Sequence, residues 1–217
     1  MTLKDRPVWL LPAIASLAAL VAVFALLLAR GAVEREGAAP MVRTSGEAQI
    51  GGPFTLVDHT GRTVTEADFA GRPMLIYFGF TYCPDVCPFS LQVLADALSR
   101  LPEDQRAVFQ PLLISVDPER DTPQVLAQYV DSPAFPANLT GLTGSPEQIR
   151  AAAEAYRVYY ARVEDPDSAA GYTMDHASLI YLMDGEGEFV DVFPHHATPE
   201  DIAARLQDFL EESRRSS

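Results

Sequence analysis

The sequence predicts a small α/β domain, a sheet with helices on both faces, preceded by one membrane-spanning helix. Three observations predict it. Strand-like apolar runs alternate with segments of helical spacing, a second strand pair precedes the last helix, and no charged side chain occurs between Pro7 and Ala29. With 217 residues and 48% hydrophobic composition, the chain supports one ordinary core plus an appendage.

Residues 7–29 are filled mostly by Leu, Ala, Val, Ile and Phe. That is enough helix to cross a hydrocarbon layer roughly 30 Å thick. Pro12 falls in the first turns of the span, where a helix tolerates it. The stretch exceeds a signal peptide's apolar region of roughly 7–15 residues, and no clean small-x-small cleavage site follows, so an uncleaved anchor is expected. Residues 1–6 carry Lys4 and Arg6 against Asp5, whereas Glu34 and Glu36 accompany Arg35 beyond the span. Positive-inside bias therefore keeps the N-terminus cytoplasmic and exports the remainder. A mitochondrial transit peptide would be rich in Arg and Ser and nearly free of acids. The expected location is thus a bacterial inner membrane, with the C-terminal domain in the periplasm.

Residues 1–30 carry a net +2, so the remainder stands at −16 against −14 for the whole chain. Such a surface repels phosphate backbones and argues against nucleic-acid partners; the acidity itself reads as solubility.

Residues 30–48 are small, polar and aperiodic, as in a linker, and residues 49–212 form the expected domain, with 213–217 as a disordered tail. Phe54–Val57 and a stretch around Val64 flank the turn-like Asp58-His59-Thr60-Gly61 and predict a hairpin. Met74–Phe80 is a nearly continuous apolar run, as in a strand buried on both faces. Helical spacing of Leu91, Leu94, Leu98 and Leu101 predicts a helix from Phe89, and Val108–Val116 reads as a second buried strand. Pro123 opens a helix to Val130. Ser145, Pro146 and Gln148 make a capping box for another. Ser178–Met183 and Phe189–Phe193 flank a Gly-rich turn, and Thr198, Pro199 and Asp201 cap a final amphipathic helix to about Glu211.

Only two cysteines exist, Cys83 and Cys87, in Thr81-Tyr82-Cys83-Pro84-Asp85-Val86-Cys87-Pro88. A disulfide closing so short a loop constrains little of the unfolded chain, so redox or metal chemistry is the better reading. The segment follows a buried strand at the mouth of a helix, where free N–H groups favour thiolate. A C-x-x-x-C spacing sets the pair at i and i+4, so both sulfurs on one face of a first helical turn can share an ion, and soft sulfur ligands favour Cu(I) or zinc. A further ligand must come from His59, His176, His195 or His196. His59 sits in a predicted turn, where solvent contact explains it. His195 and His196 precede a helix cap, and a double histidine can bind metal by itself.

The run ASLIYLMDGEGEFV resembles the strand, turn and strand that close a thioredoxin domain, where a proline just before the strand packs against the active-site cysteines. Ala177 takes that place here, and its neighbour His176 becomes the preferred third ligand. YFGFTYCPDVCP, SVDPERDTP, GLTGSPEQI, YRVYY and DHASLIYLMDGEGEFV together resemble the SCO/SenC family of copper chaperones over essentially the whole exported part. The resemblance implies a thioredoxin-like fold with an N-terminal β-hairpin extension, and copper, Cu(I) or Cu(II), on Cys83, Cys87 and His176. It also implies delivery to the binuclear copper site of cytochrome c oxidase subunit II, with that subunit or its assembly factors as partners and another copper chaperone as donor. Tyr82 stands where relatives commonly have histidine.

Around this set, Asp85 either tunes the sulfurs or answers the helix macrodipole. Asp117, Asp121 and Thr122 make a loop and helix cap, or support the metal ligands from behind. Met174 is a gap-filler or a soft auxiliary ligand. A delivery protein is favoured over an enzyme. The alternative is a thiol-disulfide oxidoreductase that uses Cys83 and Cys87 as a redox-active pair on the cysteines of the oxidase site. A peroxiredoxin-type peroxidase fits less well, because Thr81 lies two residues before Cys83 rather than three and that motif's opening proline is missing.

Overall fold

The computed structural model describes residues 50–166 and 170–216. The first strands, β1 (Thr55–Asp58) and β2 (Thr63–Thr65), pair antiparallel with Leu56 opposite Val64. Asp58 makes their turn: its carboxylate accepts from the N–H groups of Thr60 at 2.9 Å and Arg62 at 3.0 Å. A single 3-10 turn, Glu66–Phe69, then leads into the centre of the fold.

The centre is β3 (Met74–Gly79) and β4 (Gln110–Ser115), parallel and buried at every position. Their continuous apolar runs follow from that double-sided burial. Next to β4 lies β5 (Thr140–Thr143), also parallel, which pairs antiparallel with β1. The parallel connections need crossovers, supplied by α1 (Val86–Ser99) with the one-turn α2 (Glu103–Arg106), and by α3 (Pro123–Val130). α4 (Pro146–Ala155) starts at the Ser145–Gln148 capping box and lies against β1.

A two-stranded ribbon follows, β6 (Tyr160–Asp165) with β7 (Gly171–His176), in a register that sets Tyr160 opposite His176. The chain then enters the main sheet antiparallel through β8 (Leu179–Met183) and β9 (Phe189–Pro194) and ends in α5 (Pro199–Ser216), which lies against α1. Among the described residues the main sheet has seven strands in the order β2-β1-β5-β4-β3-β8-β9.

The structure departs from the sequence expectations at several places. Helix α1 begins at Val86 rather than Phe89, so Cys83 lies ahead of it and only Cys87 occupies its first turn. β5, α2 and the β6–β7 ribbon were not anticipated. β6 is largely solvated, and β7 alternates the inward Tyr172, Met174 and His176 with exposed Gly171, Thr173 and Asp175, so neither strand carries an aliphatic run. Helix α5 continues to Ser216, beyond Glu211 and through most of the segment expected as a disordered tail. The expected anchor at 7–29 and linker at 30–48 lie outside the described residues. Among those described, no helix is long and apolar enough to cross a membrane.

Leu112 on β4 is fully buried, with Ile76 of β3 on one side and Thr140 of β5 on the other. Leu112→Ala should cost about 2–5 kcal/mol in urea unfolding, seen as a lower midpoint with an unchanged slope.

Candidate metal centre

Three segments meet beyond the C-terminal end of β3. Cys83 is half-buried in the loop after Phe80, Cys87 is buried in the first turn of α1, and His176 ends β7. Their ligand atoms, two Sγ and one imidazole nitrogen, all lie within 4.8 Å of one another. Among the described residues this is the one group of three or more such side chains that could hold a metal ion.

The imidazole is oriented. Its Nδ1 is 3.3 Å from the Ala177 carbonyl oxygen, which can only accept, so Nδ1 carries the proton and the Nε2 lone pair faces Cys87 Sγ at 3.4 Å. Tyr77 and Phe80 meet the ring edge-on, at centroid distances of 6.1 and 5.8 Å.

The sulfurs are unequal. Cys87 N–H, one of the unpaired donors at the start of α1, points at Cys83 Sγ from 3.4 Å. Hydrogen bonding from the Cys87 thiol, and from the backbone N–H groups of Cys87 and Asp85, outweighs burial and brings Cys83 down to about 4. Cys87 goes the other way, because it gives that bond to Cys83 and because it is buried. The metal-free pair therefore keeps a thiolate on the accessible sulfur and a proton on the inner one. Gly79 makes room for the inner sulfur: a Cβ there would lie 3.1 Å from Cys87 Sγ and 2.7 Å from Tyr77 Cε1.

The loop after β4 ties the two halves of the site together. Asp121 is fully buried and accepts from Thr81 N–H at 3.0 Å, Thr81 Oγ1 at 2.6 Å and Ser115 Oγ at 2.6 Å, which fixes the chain two residues before Cys83. On the other side, Asp117 accepts from Tyr172 Oη at 2.8 Å and from Arg120 Nε, and Arg120 Nη1 donates to the Tyr172 carbonyl at 3.1 Å. The guanidiniums of Arg120 and Arg162 stack on the Tyr172 ring at 3.7 and 3.6 Å. Tyr172 lies on β7, the strand that delivers His176.

Sequence reasoning singled out Asp117 and Asp121, and the structure shows what they grip. It missed Arg120, Tyr172 and Gly79. The SVDPERDTP run marked the loop, but nothing local announced its partner on β7. Thr122 caps α3 through Val125 N–H. Asp85 precedes α1 without a side-chain capping bond, and its N–H instead helps hold the Cys83 thiolate. Met174 packs against the core and is outside the ligand group. Tyr82 is exposed, with its ring 4.9 Å from the Arg120 guanidinium. His59 accepts from Gly141 N–H at 3.1 Å, in the turn between β1 and β2. His195 and His196 also fall outside the group, on the turn after β9.

The SCO1/SenC family model matches residues 42–211. The chain belongs to the SCO1/SenC family. SenC of Rhodobacter capsulatus is 46% identical over 167 residues, which is 77% of this chain and 73% of SenC. The mitochondrial SCO1 homolog 1 of Arabidopsis thaliana is 46% identical over 150 residues, 69% of this chain and 44% of the plant protein, so the match spans under half of that relative's length. ScoI of Bradyrhizobium japonicum, solved with copper bound, superposes with a TM-score of 0.65 at 45% identity, covering 73% of this chain and 98% of that one. The sheet and helices described above are thus the α/β thioredoxin-like fold of SCO1/SenC proteins.

Two expectations follow for this SCO1/SenC chain. Asp121→Ala strands the donors of Thr81 and Ser115 in the interior, so stability should fall by about 1–3 kcal/mol or more in urea unfolding. Alkylation of the reduced, metal-free protein should titrate at about pH 4, with Cys83 as the modified residue by mass spectrometry. The sign for stability is set by the same shift. From about pH 4 up to the ordinary thiol value of about 8.5, the folded state lacks a proton at Cys83 that the unfolded chain binds, so this contribution grows with pH and is lost as pH falls through about 4. Cys87, shifted upward, contributes the opposite slope only above about 8.5.

Proposed function

We propose that the protein is a membrane-anchored copper metallochaperone. It holds copper between Cys83, Cys87 and His176 and passes it to the binuclear copper site of cytochrome c oxidase subunit II. The observation that carries this reading is the convergence of two Sγ atoms and an Nε2 lone pair within 4.8 Å. Two thiolates and a neutral imidazole suit soft Cu(I), and also accept Cu(II). Copper is cargo here, so the site must release it as well as bind it.

The residues divide that work. Cys83, already a thiolate and partly exposed, is the sulfur an incoming donor or acceptor ligand reaches first. Cys87 gives up its proton on loading, so binding is coupled to proton release. His176 is held by Ala177, Tyr77 and Phe80 and supplies its lone pair without reorganising. Stepwise exchange at Cys83 then opens the site toward the acceptor while Cys87 and His176 retain the ion. The sequence pattern supports an anchor at 7–29, a tether at 30–48 and a periplasmic domain from 49, with the N-terminus in the cytoplasm and another copper chaperone as donor.

One observation favours a second reading. A low-pKa, accessible Cys83 backed by a buried Cys87 is the arrangement of a thiol-disulfide oxidoreductase. Cys83 would attack a disulfide in the oxidase site and release one thiolate. Cys87 would then attack the mixed disulfide at Cys83 and release the second, leaving Cys83–Cys87 oxidised for an upstream dithiol to reduce.

Anaerobic Cu(I) titration of the reduced protein against a competing chelator tests the assignment. Wild type should bind one tight equivalent, and Cys83→Ser, Cys87→Ser and His176→Ala should each weaken it by about 100-fold, or about 2.7 kcal/mol. Tight binding that survives all three changes overturns the site. His176→Ala should leave disulfide exchange intact, which separates delivery from thiol reduction.

A further inference from the structure

We infer that His195 and His196 form a second, weaker Cu(I) site at the rim of the first. The identity of the metal rests on the copper reading above; the placement and availability of the pair do not. Both imidazoles are exposed on the turn after β9, with ring centroids 5.4 Å apart and planes at 88°. Apart from that mutual contact, neither ring has a polar partner among the described residues. His59 and His176, by contrast, each use a ring nitrogen in a hydrogen bond.

Sheet register puts the pair beside the metal centre. β8 and β9 are paired with Leu179 opposite Pro194, so His195 and His196 leave β9 alongside Ser178 and Ala177, the two residues after His176. On the other side of β8, Tyr77 pairs with Ile180, and β3 ends at Gly79 under the Cys87 sulfur. The cysteines, His176 and the double histidine therefore share one end of the sheet.

Ligand chemistry selects the ion. Two imidazoles from adjacent residues complete a near-linear, two-coordinate shell for Cu(I), whereas zinc needs four ligands and finds two here. The pair precedes the N-terminus of α5, whose positive end would repel a cation, but Asp201 in that first turn offsets it, while Glu200 is paired with Arg100 at 2.7 Å. An exposed imidazole pair exchanges ligands readily, which suits it to take Cu(I) from a donor at a surface where buried Cys87 is out of reach. No electron is transferred: copper enters and leaves as Cu(I), and neutral imidazoles replace the donor's ligands.

The test is anaerobic titration of the full reduced chain with Cu(I) against chelators of graded affinity. Four forms are compared: wild type, His195→Ala/His196→Ala, Cys83→Ser/Cys87→Ser/His176→Ala, and all five changes together. Wild type should bind a tight equivalent and a second about tenfold or more weaker. The His-pair variant should keep only the tight one, the triple variant only the weak one, and the quintuple variant neither. His195→Ala alone should also abolish the weak equivalent, since a single imidazole leaves the shell incomplete. A weak equivalent that persists without His195 and His196, or its absence from wild type, overturns the inference. A tight equivalent that persists in the triple variant would instead overturn the assignment of the main site.

Discussion

The geometry of the candidate metal centre depends on one buried carboxylate and its neighbours in the loop after β4. Cys87 and His176 are 89 residues apart in sequence and arrive on unrelated elements, a helix and a solvated ribbon. Asp121 grips the cysteine loop through Thr81, and Asp117 with Arg120 grips the ribbon through Tyr172. Because Asp121 is fully buried, its three hydrogen bonds are obligatory: any displacement would leave polar groups unpaired in the interior. That turns a flexible juxtaposition into a defined one, and it accounts for a charged residue in the core better than any gain in stability would.

The same framework makes the two thiols different. A symmetrical pair on one helical face would share its environment, and the i, i+4 spacing suggests such a pair. With α1 starting at Val86, Cys83 instead sits ahead of the helix and accepts an N–H from its first turn, as a capping group does, while Cys87 sinks beneath it against Gly79. Charge therefore resides on the sulfur that meets solvent, and the proton on the one that does not. Ligand exchange and disulfide attack both call for that asymmetry, which is why geometry at the cysteines alone separates the two chemistries poorly and His176 separates them well.

Legibility in the sequence followed burial and local chemistry. Met74–Gly79 was readable because burial on both faces writes a nearly continuous apolar run, β4 because of Leu112, Leu113 and Ile114, and α4 because Ser145, Pro146 and Gln148 form its cap from adjacent residues. The ribbon that carries His176 was not readable, since β6 lies mostly in water, the inward face of β7 is Tyr172, Met174 and His176 rather than aliphatic, and two guanidiniums stacked on Tyr172 help hold it. For the same reason His176 could be preferred among four histidines only through resemblance to a known fold.

Sequence by itself determined the chemistry on offer: two cysteines at a strand-to-helix junction, a short list of histidines, an acidic chain and an uncharged span at 7–29. These are properties of residue type and spacing, and they need no third dimension. Tertiary structure alone decided which histidine faces the sulfurs, which sulfur carries the charge and which residues keep them in register. Each of those is a matter of hydrogen-bond direction and burial between segments distant in the chain, and no local pattern encodes it.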